Sequence, residues 1–520
     1  MSLPFEHVDR DRPLTAWLAG VRPVLMFSYW LNWKLWGDGP ASYHAFNILV
    51  HAINTVLVFL VLWRLLTWAG WETKRIRWTA AVGSLIFLIH PLQTEAVSYV
   101  AGRSESLAML LVLLAYSAYL WRRHESISWL ESFVVLILFG LALATKENAI
   151  CLAGLIVFTD LFWPKPFSLI GLRRNWRLYA LMLPAAALGA GLVLHMLAGA
   201  PSAGFSLRTY TWYQYAFTQA GVIFSYVRMA LLPAGLSVDH DYPPSHTIFE
   251  NGAIFWIALL IAVTVLALRF RRRYPVACFG WFFFLIVLAP TSSFVPINDA
   301  QVERRMYLPL AGLILIGAEL SRQIRIPARA AWILGGVAIV LLGADCYARN
   351  QEWSHPEDVL GAAAMHSTRN FRPYLNVVQV LFHEDRCNDA VPYMKRAEEL
   401  FPADPQVQIT WAWIFECMKQ PEKGLERLQT VAKKQSYARL YEWIGLLYGE
   451  MNRLPEAGEA LRKAVALDPR SESAHEALAL WYEANKNFAA AELEYQTSVG
   501  LDPYNQSAQA GLIRARAQAR

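Results

Sequence analysis

Hydrophobic residues fill the first two thirds of this chain, and their pattern changes once, near Arg349. Before that point the sequence is a series of apolar runs, each close to the roughly 20 residues that an α-helix needs to cross a bilayer. We place the runs at 43–66, 78–92, 104–121, 127–145, 147–163, 177–197, 251–268, 274–294, 304–321 and 328–347. Segments 22–36 and 212–232 are more mixed, and each is interfacial, re-entrant or spanning. The pattern predicts an all-α, polytopic membrane domain with about 10–12 helices.

A second pattern, with a longer period, occupies the rest of the chain. Leu467-Asp468-Pro469 recurs as Leu501-Asp502-Pro503, 34 residues later. Small and apolar positions follow the same spacing, with repeat starts at 371, 405, 438 and 472. A period of about 34 residues is that of the tetratricopeptide repeat. We therefore predict four helix pairs stacked into an α-solenoid.

These two patterns give the predicted domain organisation. Residues 1–42 form a partial first outer loop or interfacial segment, 43–349 the membrane domain, 350–370 a linker and 371–520 the repeat domain. Within the repeats, apolar residues at helical spacing are expected to form the packing core. Five large rings exceed what packing needs, and some of them are expected to face a peptide partner on the concave surface: Trp413, Trp443, Tyr448, Trp481 and Tyr482.

Composition supports a membrane protein. Hydrophobic residues make up 56% of the 520 residues and charged residues only 17%, whereas soluble domains carry roughly 25% charged residues. The formal net charge is +6, but the basic residues stand in short clusters between apolar runs, as in cytoplasmic loops. The charge therefore indicates membrane topology and does not indicate a nucleic-acid partner.

The distribution of basic residues predicts the orientation. If 43–66 runs from outside to inside and 212–232 does not cross, one set of loops carries sixteen basic residues and the opposite set five. Cytoplasmic loops hold the excess of Lys and Arg. The sparse set is thus expected outside the cytoplasm, and the repeats are expected on that same face, for example the periplasmic face of a bacterial inner membrane.

The five cysteines add one prediction that stays open. Cys151 and Cys278 lie in predicted spans, where a small apolar side chain is the expected role. Cys387 and Cys417 lie in adjacent repeats, in a compartment predicted to be oxidising, where they form a disulfide or remain two thiols. No pattern of zinc ligands is present.

Three polar clusters stand at the predicted outer edge of the membrane. They lie in residues 90–105, 145–148 and 302–309. Charged groups at membrane depth are costly and are functional by default. Arg and Lys can hold a phosphate, and Glu can act as a base or a metal ligand. Their occurrence on one face predicts a site there.

Structural roles are the alternatives for each cluster. His90 before Pro91 can simply end a helix, since proline clashes with the preceding turn. Glu95 and Arg103 can form a structural ion pair. Lys146 and Glu147 can cap adjoining helices, and Arg305 can contact lipid headgroups.

At these residues the chain resembles a known family, the transmembrane and tetratricopeptide-repeat-containing O-mannosyltransferases and their bacterial relatives. The resemblance covers nearly the whole chain from Arg22-Pro23 onwards. It is carried, in order, by the His90–Glu105 loop, Lys146-Glu147 followed by Asp160, the run from Leu232-Pro233 to Asp239, and Glu303-Arg304 followed by Tyr307-Leu308-Pro309.

This resemblance implies a GT-C glycosyltransferase that uses a polyprenyl-phosphate sugar donor on the non-cytoplasmic side. An acceptor hydroxyl, here expected on a protein held by the repeats, would attack the sugar while a carboxylate takes its proton. Glu95 and Glu105 are the candidate catalytic acids, and Arg103, Lys146 and Arg304 the candidate ligands of the lipid phosphate. Supporting roles are expected for His90, Glu147, Glu303 and Asp239. The cofactor is left open, with a divalent metal as one alternative.

One feature of the family is not visible in this sequence. The principal acid of GT-C enzymes follows an initial span, and here Asp9 and Asp11 alternate with Arg10 and Arg12, as in a solvated charge run. Two explanations stay open: the true start lies upstream, or catalysis is lost and the protein is a membrane-anchored repeat scaffold that binds envelope proteins. We favour the first, because the outer charges have no evident structural need.

Overall fold

The computed structural model divides into two compact units at the boundary between His355 and Pro356. It describes residues 18, 22–37, 39–163, 167–199, 204, 211–323, 328–402, 404–502 and 505–519. Five residues named in the predictions lie outside this set, namely Asp9, Arg10, Asp11, Arg12 and Pro503. So do three of the basic residues counted for the orientation, Lys165, Arg208 and Arg325. The described part of the chain is helical and contains no strand, so the predicted all-α fold is confirmed.

The membrane unit contains fourteen α-helices among its described residues. They are α1 Pro23–Trp36, α2 Pro40–Trp68, α3 Thr73–Ile89, α4 Thr94–Val97, α5 Arg103–Leu120, α6 Trp129–Leu143, α7 Cys151–Phe162, α8 Ile170–Arg174, α9 Trp176–Gly199, α10 Trp212–Leu231, α11 Ala253–Arg269, α12 Pro275–Leu288, α13 Pro309–Gln323 and α14 Ala328–Trp353. Short 3₁₀ turns precede α7 and α13, at Glu147–Ile150 and Glu303–Met306. Each predicted apolar run therefore corresponds to a helix.

Four helical stretches of the described chain are long and apolar enough to cross a membrane, namely Pro40–Trp68, Val100–Leu120, Glu250–Arg269 and Ile333–Trp353. The pair Thr73–Ile89 and Pro91–Val97 is bent by 55° and forms either a broken span or a re-entrant loop. Other apolar helices are shorter, such as α6 and α12. These helices are those of a membrane protein, and among the described residues they are fewer than the apolar runs predict.

Local sequence explains several of these helices. Ser128 and Glu131 form a reciprocal capping box at the start of α6, which satisfies free N–H groups of the first turn. Pro275 opens α12, where its missing N–H costs nothing. Gly280 and Gly312 let α12 and α13 approach closely, because a Cβ on Gly280 would lie 2.5 Å from the Gly312 carbonyl oxygen.

The helices of the membrane unit have an apolar middle and two polar ends. The main buried cluster is built mainly from α2, α3, α5, α6, α7, α12 and α13. Helix α5 shows the two ends, since Arg103 and Glu105 stand in its first turn and Leu120 closes it after 18 residues, about 27 Å away. Buried polar side chains gather at both ends and define two separate clusters.

The repeat unit contains ten helices among the residues described. They are α15 Pro356–His366, α16 Arg372–His383, α17 Cys387–Leu400, α18 Pro405–Cys417, α19 Pro421–Ala432, α20 Ala438–Glu450, α21 Leu454–Leu467, α22 Glu472–Ala484, α23 Phe488–Leu501 and α24 Gln506–Ala519. The first helices of the four predicted repeats begin at 372, 405, 438 and 472, within one residue of the predicted starts.

The repeats also share a turn that the sequence pattern did not predict. A residue with left-handed φ, between 55° and 59°, stands between the two helices of each pair: Asp385, Lys419, Asn452 and Lys486. These positions again follow the repeat period. None of them is glycine, so a residue with a side chain adopts the left-handed backbone conformation in each turn, at some cost in conformational free energy.

The stretch 350–370, predicted as a linker, has a different structure. Helix α14 continues to Trp353, and α15 follows at once and packs against α16. Gly361 of α15 lies against the ring of Tyr393 from α17. Val359, Leu360, Ala363 and Ala364 are buried, so this short amphipathic segment closes the end of the solenoid.

The structure answers the open question on Cys387 and Cys417, which form a disulfide with their Cα atoms 6.2 Å apart. The large aromatic rings of the repeats, some of which were predicted to face a peptide partner, are used largely in packing. Trp413 is buried and packs against Trp443, with centroids 5.4 Å apart and ring planes tilted by 38°. Trp481 donates from Nε1 to the Leu454 carbonyl at 2.6 Å.

Candidate functional site

Polar segments from three parts of the sequence meet at one end of the membrane unit. They are the turn and short helix between α3 and α5, the segment before α7, and the 3₁₀ turn before α13. Tyr307 joins the third segment to the first, because its carbonyl accepts from Gln93 at 3.2 Å. Lys146 joins the second segment to the first, because its Nζ lies 2.7 Å from a carboxylate oxygen of Glu105. The three predicted clusters are therefore neighbours in space.

The first ion pair joins Glu95 to Arg304. Glu95 is 2% exposed, and one of its oxygens accepts from the backbone N–H of Arg304 at 2.7 Å. The other oxygen pairs with Nη1 of the same arginine. The suggestion that Glu95 pairs with Arg103 is wrong, because Arg304, 209 positions along the chain, occupies that place.

The second ion pair joins Glu105 to Lys146. Nζ of Lys146 lies 2.7 Å from one carboxylate oxygen of Glu105, and Asn148 donates to the other oxygen at 2.8 Å. The Glu105 side chain is buried, at 3% exposed, and that of Lys146 is 13% exposed. Asn148 is a site residue that the sequence did not single out, although it follows Lys146-Glu147 directly.

Arg304 is bound to Glu95 on one side and is partly open to solvent on the other. Its side chain is 31% exposed, whereas that of Glu95 is 2% exposed. Glu95 beside it raises the pKa of the guanidinium, and Glu105 adds to the effect. The guanidinium therefore stays charged and retains donors for an anion that approaches from the open side.

Arg103 has a different environment from the other two predicted phosphate ligands. It is fully buried, and its donors are bound to Asn47 at 2.8 Å, Asn32 at 2.9 Å and two backbone carbonyls. Its guanidinium carbon lies 4.4 Å from the ring centroids of Tyr29 and Phe46. Four of five donors are used inside the protein, so this arginine is placed to hold α1, α2 and α5 together and not to bind a phosphate.

Glu303 organises a second buried group beside the first ion pair. Its carboxylate accepts from the backbone N–H of Ser237 and lies 2.9 Å from Nε2 of His240. Arg349, near the end of α14, lies 3.8 Å away. Ser237, His240 and Arg349 were not predicted as site residues, and their only signal was proximity in sequence to Asp239 and to the end of the last apolar run.

The remaining predicted residues occupy the margins. His90 is buried, with Nδ1 accepting from the Leu92 N–H at 3.2 Å and Nε2 lying 3.0 Å from the Ala230 carbonyl, so it fastens the end of α3 as the structural alternative proposed. Glu147 makes a half-exposed pair with Arg22 at 2.7 Å. The backbone of Asp239 bonds to the Ser237 hydroxyl, at 3.0 Å and 3.3 Å.

A cavity of about 380 Å³ opens next to these groups, between α2, the 90–98 segment and the end of α14. His44, His51, Thr94, Asn350 and Trp353 are among its lining residues. None of the described residues that line it is one of the paired acids or cations, so the cavity adjoins the charged cluster without containing it. No group of three or more His, Cys, Asp or Glu side chains that could hold a metal occurs in the described part of the chain.

Comparison with known proteins supports both halves of the chain. A family model described as "Tetratricopeptide repeat" matches residues 438–471. Protein O-mannosyl-transferase F38B6.6 of Caenorhabditis elegans is 23% identical over 397 residues, which covers 74% of this chain and 54% of that protein. Human protein O-mannosyl-transferase TMTC3 is 22% identical over 533 residues, covering 87% and 54%. Drosophila Tmtc1 is 34% identical over 144 residues, covering 28% and 16%.

These relatives confirm the predicted resemblance, because the chain is similar over most of its length to proteins named protein O-mannosyl-transferases. It spans about half the length of the curated relatives it matches. Among solved structures, yeast Tom70 is 14% identical and covers 85% of this chain and 92% of that one with a TM-score of 0.29. That score is too low to bear on the arrangement of the helices.

Proposed function

We propose that this protein is a membrane glycosyltransferase that moves a sugar from a polyprenyl-phosphate-linked donor to a hydroxyl of an acceptor protein. The observation that carries the proposal is the cluster of Glu95, Arg304, Glu105 and Lys146, in which two buried carboxylates each hold a cation at one end of the membrane unit. The names of the related proteins favour transfer to proteins. Because charges at this depth are costly, a reaction that uses them explains the cluster better than packing does.

The arrangement suits the charge changes of such a transfer. The acceptor oxygen forms a bond to the anomeric carbon of the sugar as the bond from that carbon to the phosphate oxygen breaks, and the acceptor proton passes to a carboxylate. Arg304 and Lys146 would stabilise the departing polyprenyl phosphate. As either cation turns toward the phosphate, its partner Glu95 or Glu105 becomes more basic, because a neighbouring positive charge no longer favours the ionised form. The two ion pairs are thus a source of both phosphate ligands and a base.

The course of α14 favours a reaction on the non-cytoplasmic face, such as the periplasmic face of a bacterial inner membrane. Trp353, at the end of α14, stacks on Tyr99 of the charged end with centroids 5.9 Å apart, so the chain leaves the membrane unit at that end. The basic loops stand at the other end, which the positive-inside rule assigns to the cytoplasm.

The repeat unit is the proposed holder of the acceptor. A groove of about 700 Å³ runs along α18 and α19, with Lys423 and Lys434 among its lining residues. Arg427 lies over the ring of Trp411 at 4.9 Å and pairs with Glu398 at 2.6 Å, which fixes one wall. Solenoids present extended surfaces of this kind to polypeptides.

The test is Arg304→Ala, compared with Arg272→Ala as a control. Arg272 is exposed and stands in the loop before α12, whose first turn contacts Glu319 near the end of α13, so it lies at the opposite end of the unit. Hexose-modified Ser and Thr peptides are quantified by mass spectrometry in cells that contain only one variant, at equal amounts of membrane-inserted protein.

We expect Arg304→Ala to lower protein hexosylation by about 10²- to 10³-fold, the usual cost of losing one preorganised charge-stabilising group. Arg272→Ala should leave it unchanged. Unchanged hexosylation in Arg304→Ala would remove this cluster as the transfer site. Loss in both variants alike would point to a general effect of charge on the membrane protein.

A further inference from the structure

The opposite end of the membrane unit contains a second pocket that the proposed transfer does not use. It has a volume of about 350 Å³ and lies where α2, α5 and α7 end, next to α8. Its lining includes four arginines, namely Arg64, Arg122, Arg123 and Arg174. Helix α5 separates this pocket from Glu105 by about 22 Å, given the 1.5 Å rise of each of the 15 residues from Glu105 to Leu120.

Two of these arginines share a ring and lack an acidic partner. The guanidinium carbons of Arg64 and Arg122 lie 5.3 Å and 5.7 Å from the ring centroid of Trp68. Arg64 donates to the Leu120 carbonyl at 2.9 Å, and Arg122 to the Tyr119 carbonyl at 3.0 Å. Neither forms an ion pair with any carboxylate among the described residues. The two guanidinium groups on this ring repel each other, and an anion bound between them would offset the repulsion.

The carboxylates of the pocket do not fill that role. Asp160 is 2% exposed and already accepts from Asn175 at 2.8 Å and from Tyr179 at 2.7 Å, as well as from Tyr119. Glu125 is on the surface, 84% exposed, and pairs with Arg174 at 3.1 Å. The inner part of the pocket therefore keeps an excess of positive charge.

Its surroundings indicate the depth of a lipid headgroup. Trp68 and Trp163 stand together with centroids 6.4 Å apart, and Trp129 and Trp176 meet edge to face at 5.5 Å. Tryptophan is enriched where the bilayer meets water. Basic pockets between membrane helices at this level suit the phosphate of an anionic lipid, and a guanidinium presents paired donors to its oxygens.

We infer that the pocket formed by Arg64, Arg122, Arg123 and Arg174 binds one phosphate group, supplied by an anionic lipid headgroup at the membrane surface. The inference does not depend on the transfer reaction, since it concerns the other end of the unit. A free phosphate has the same chemistry, and the experiment separates the two sources. A bound headgroup would fasten α2, α5 and α8 to one another at their ends.

The test uses the purified full-length protein in detergent, with dioleoylphosphatidylglycerol as the lipid probe and native mass spectrometry as the readout. We compare wild type with the double variant Arg64→Gln/Arg122→Gln and with the control Arg272→Gln/Arg273→Gln, which removes the same charge from an exposed loop at the same end. The first variant should bind the tightest lipid about tenfold more weakly or worse, and the control should differ less than about twofold from wild type.

A second variant and a competition with inorganic phosphate separate the possible outcomes. If Arg64→Gln/Arg122→Gln does not fold, the variant Arg123→Gln/Arg174→Gln replaces it. This variant removes the other two arginines of the pocket and should also weaken lipid binding. Addition of millimolar inorganic phosphate should leave the lipid bound, and displacement by it would assign the site to a soluble phosphate compound. Equal weakening in the pocket variants and the loop control would overturn the inference, because it would show attraction to surface charge in general.

Discussion

Charged residues are used in opposite ways by the two units of this protein. In the membrane unit, Glu95 and Glu105 are buried and bind cations that lie far away in sequence. In the repeat unit, several pairs join neighbours three positions apart. One of them is Arg453 with Glu456 at the start of α21, with both side chains at least 40% exposed.

This difference follows from the surroundings of each charge. A buried charge is stable only when its partners are in place, and removal of one partner leaves the other uncompensated. An exposed pair gains little, because water screens it and the side chains lose freedom. The buried charges are thus informative about function and folding, whereas the exposed ones are mainly solvated surface.

The largest effect on folding is expected at Arg103. Arg103→Ala removes a buried guanidinium with contacts to two asparagines and two rings, and each buried acceptor that it leaves without a donor costs about 1–3 kcal/mol. We expect little monodisperse protein after detergent extraction, measured by size-exclusion chromatography. Arg304 is more exposed, so the Arg304→Ala variant should be extracted nearly as well as wild type. Equal recovery of the Arg103→Ala and Arg304→Ala variants would contradict a structural role for Arg103 alone.

The disulfide should have the next largest effect. Its two cysteines are separated by 30 positions, and in the chain-entropy model closing such a loop stabilises the fold by about 3–4 kcal/mol. Cys387→Ser with Cys417→Ser should therefore lower the unfolding temperature of the repeat unit, followed by limited proteolysis against temperature. The matched control is Cys346→Ser, a free cysteine in α14. If protein taken from the membrane has both repeat thiols free, this stabilisation does not operate in the cell.

A smaller effect of opposite sign is expected at Glu442, the one buried acid of α20. Burial raises the pKa of its carboxyl group, although Ser473 donates to it at 2.9 Å. Because the folded protein favours the protonated carboxyl, protonation of Glu442 stabilises the fold at pH values below the pKa of the group in the unfolded chain. This stabilisation is lost as pH rises through the pKa of the group in the folded protein. Glu442→Gln should stabilise the repeat unit at pH 7 by about 1 kcal/mol, and the gain should vanish in acid. A destabilised variant at pH 7 would show that the carboxylate is ionised and needed.

The smallest effect is expected for the exposed pair Arg453 and Glu456. Arg453→Ala with Glu456→Ala removes a pair with 2.6 Å between its closest atoms, but both groups are solvated. We expect no measurable shift in the unfolding temperature of the repeat unit. A clear loss would mean that surface pairs stabilise the solenoid and would weaken the contrast with the membrane unit.

The regular parts of the fold follow from local sequence, and the site follows only in part. Repeat starts were predictable because Leu-Asp-Pro recurs with the repeat period, and apolar runs gave the membrane helices. Glu95, Glu105, Lys146 and Arg304 were recognisable as costly charges at the membrane edge. Their pairing was not, because the contact of Glu95 with Arg304 joins positions 209 apart, and such contacts depend on how the helices pack.

Arg103 and His240 show why sequence alone misplaces such residues. Arg103 precedes Glu105 by two positions, yet it stands on the side of α5 that meets α1 and α2, where Asn32 and Asn47 take its donors. His240 has no motif of its own, and only the fold brings it to Glu303. Whether Arg103 binds a phosphate or holds helices together depends on the face of α5 that it occupies. A count of charges does not reveal that face.

The measurement that tests the central proposal most directly is sugar transfer by the purified full-length protein in liposomes. The donor is a polyprenyl-phosphate hexose labelled in the sugar, and the acceptor is an extract of envelope proteins. We predict label on Ser or Thr of protein together with an equal amount of released polyprenyl phosphate, and at least about 100-fold less of both with Arg304→Ala. Equal transfer by wild type and Arg304→Ala, or retention of envelope proteins with no release of polyprenyl phosphate, would contradict it.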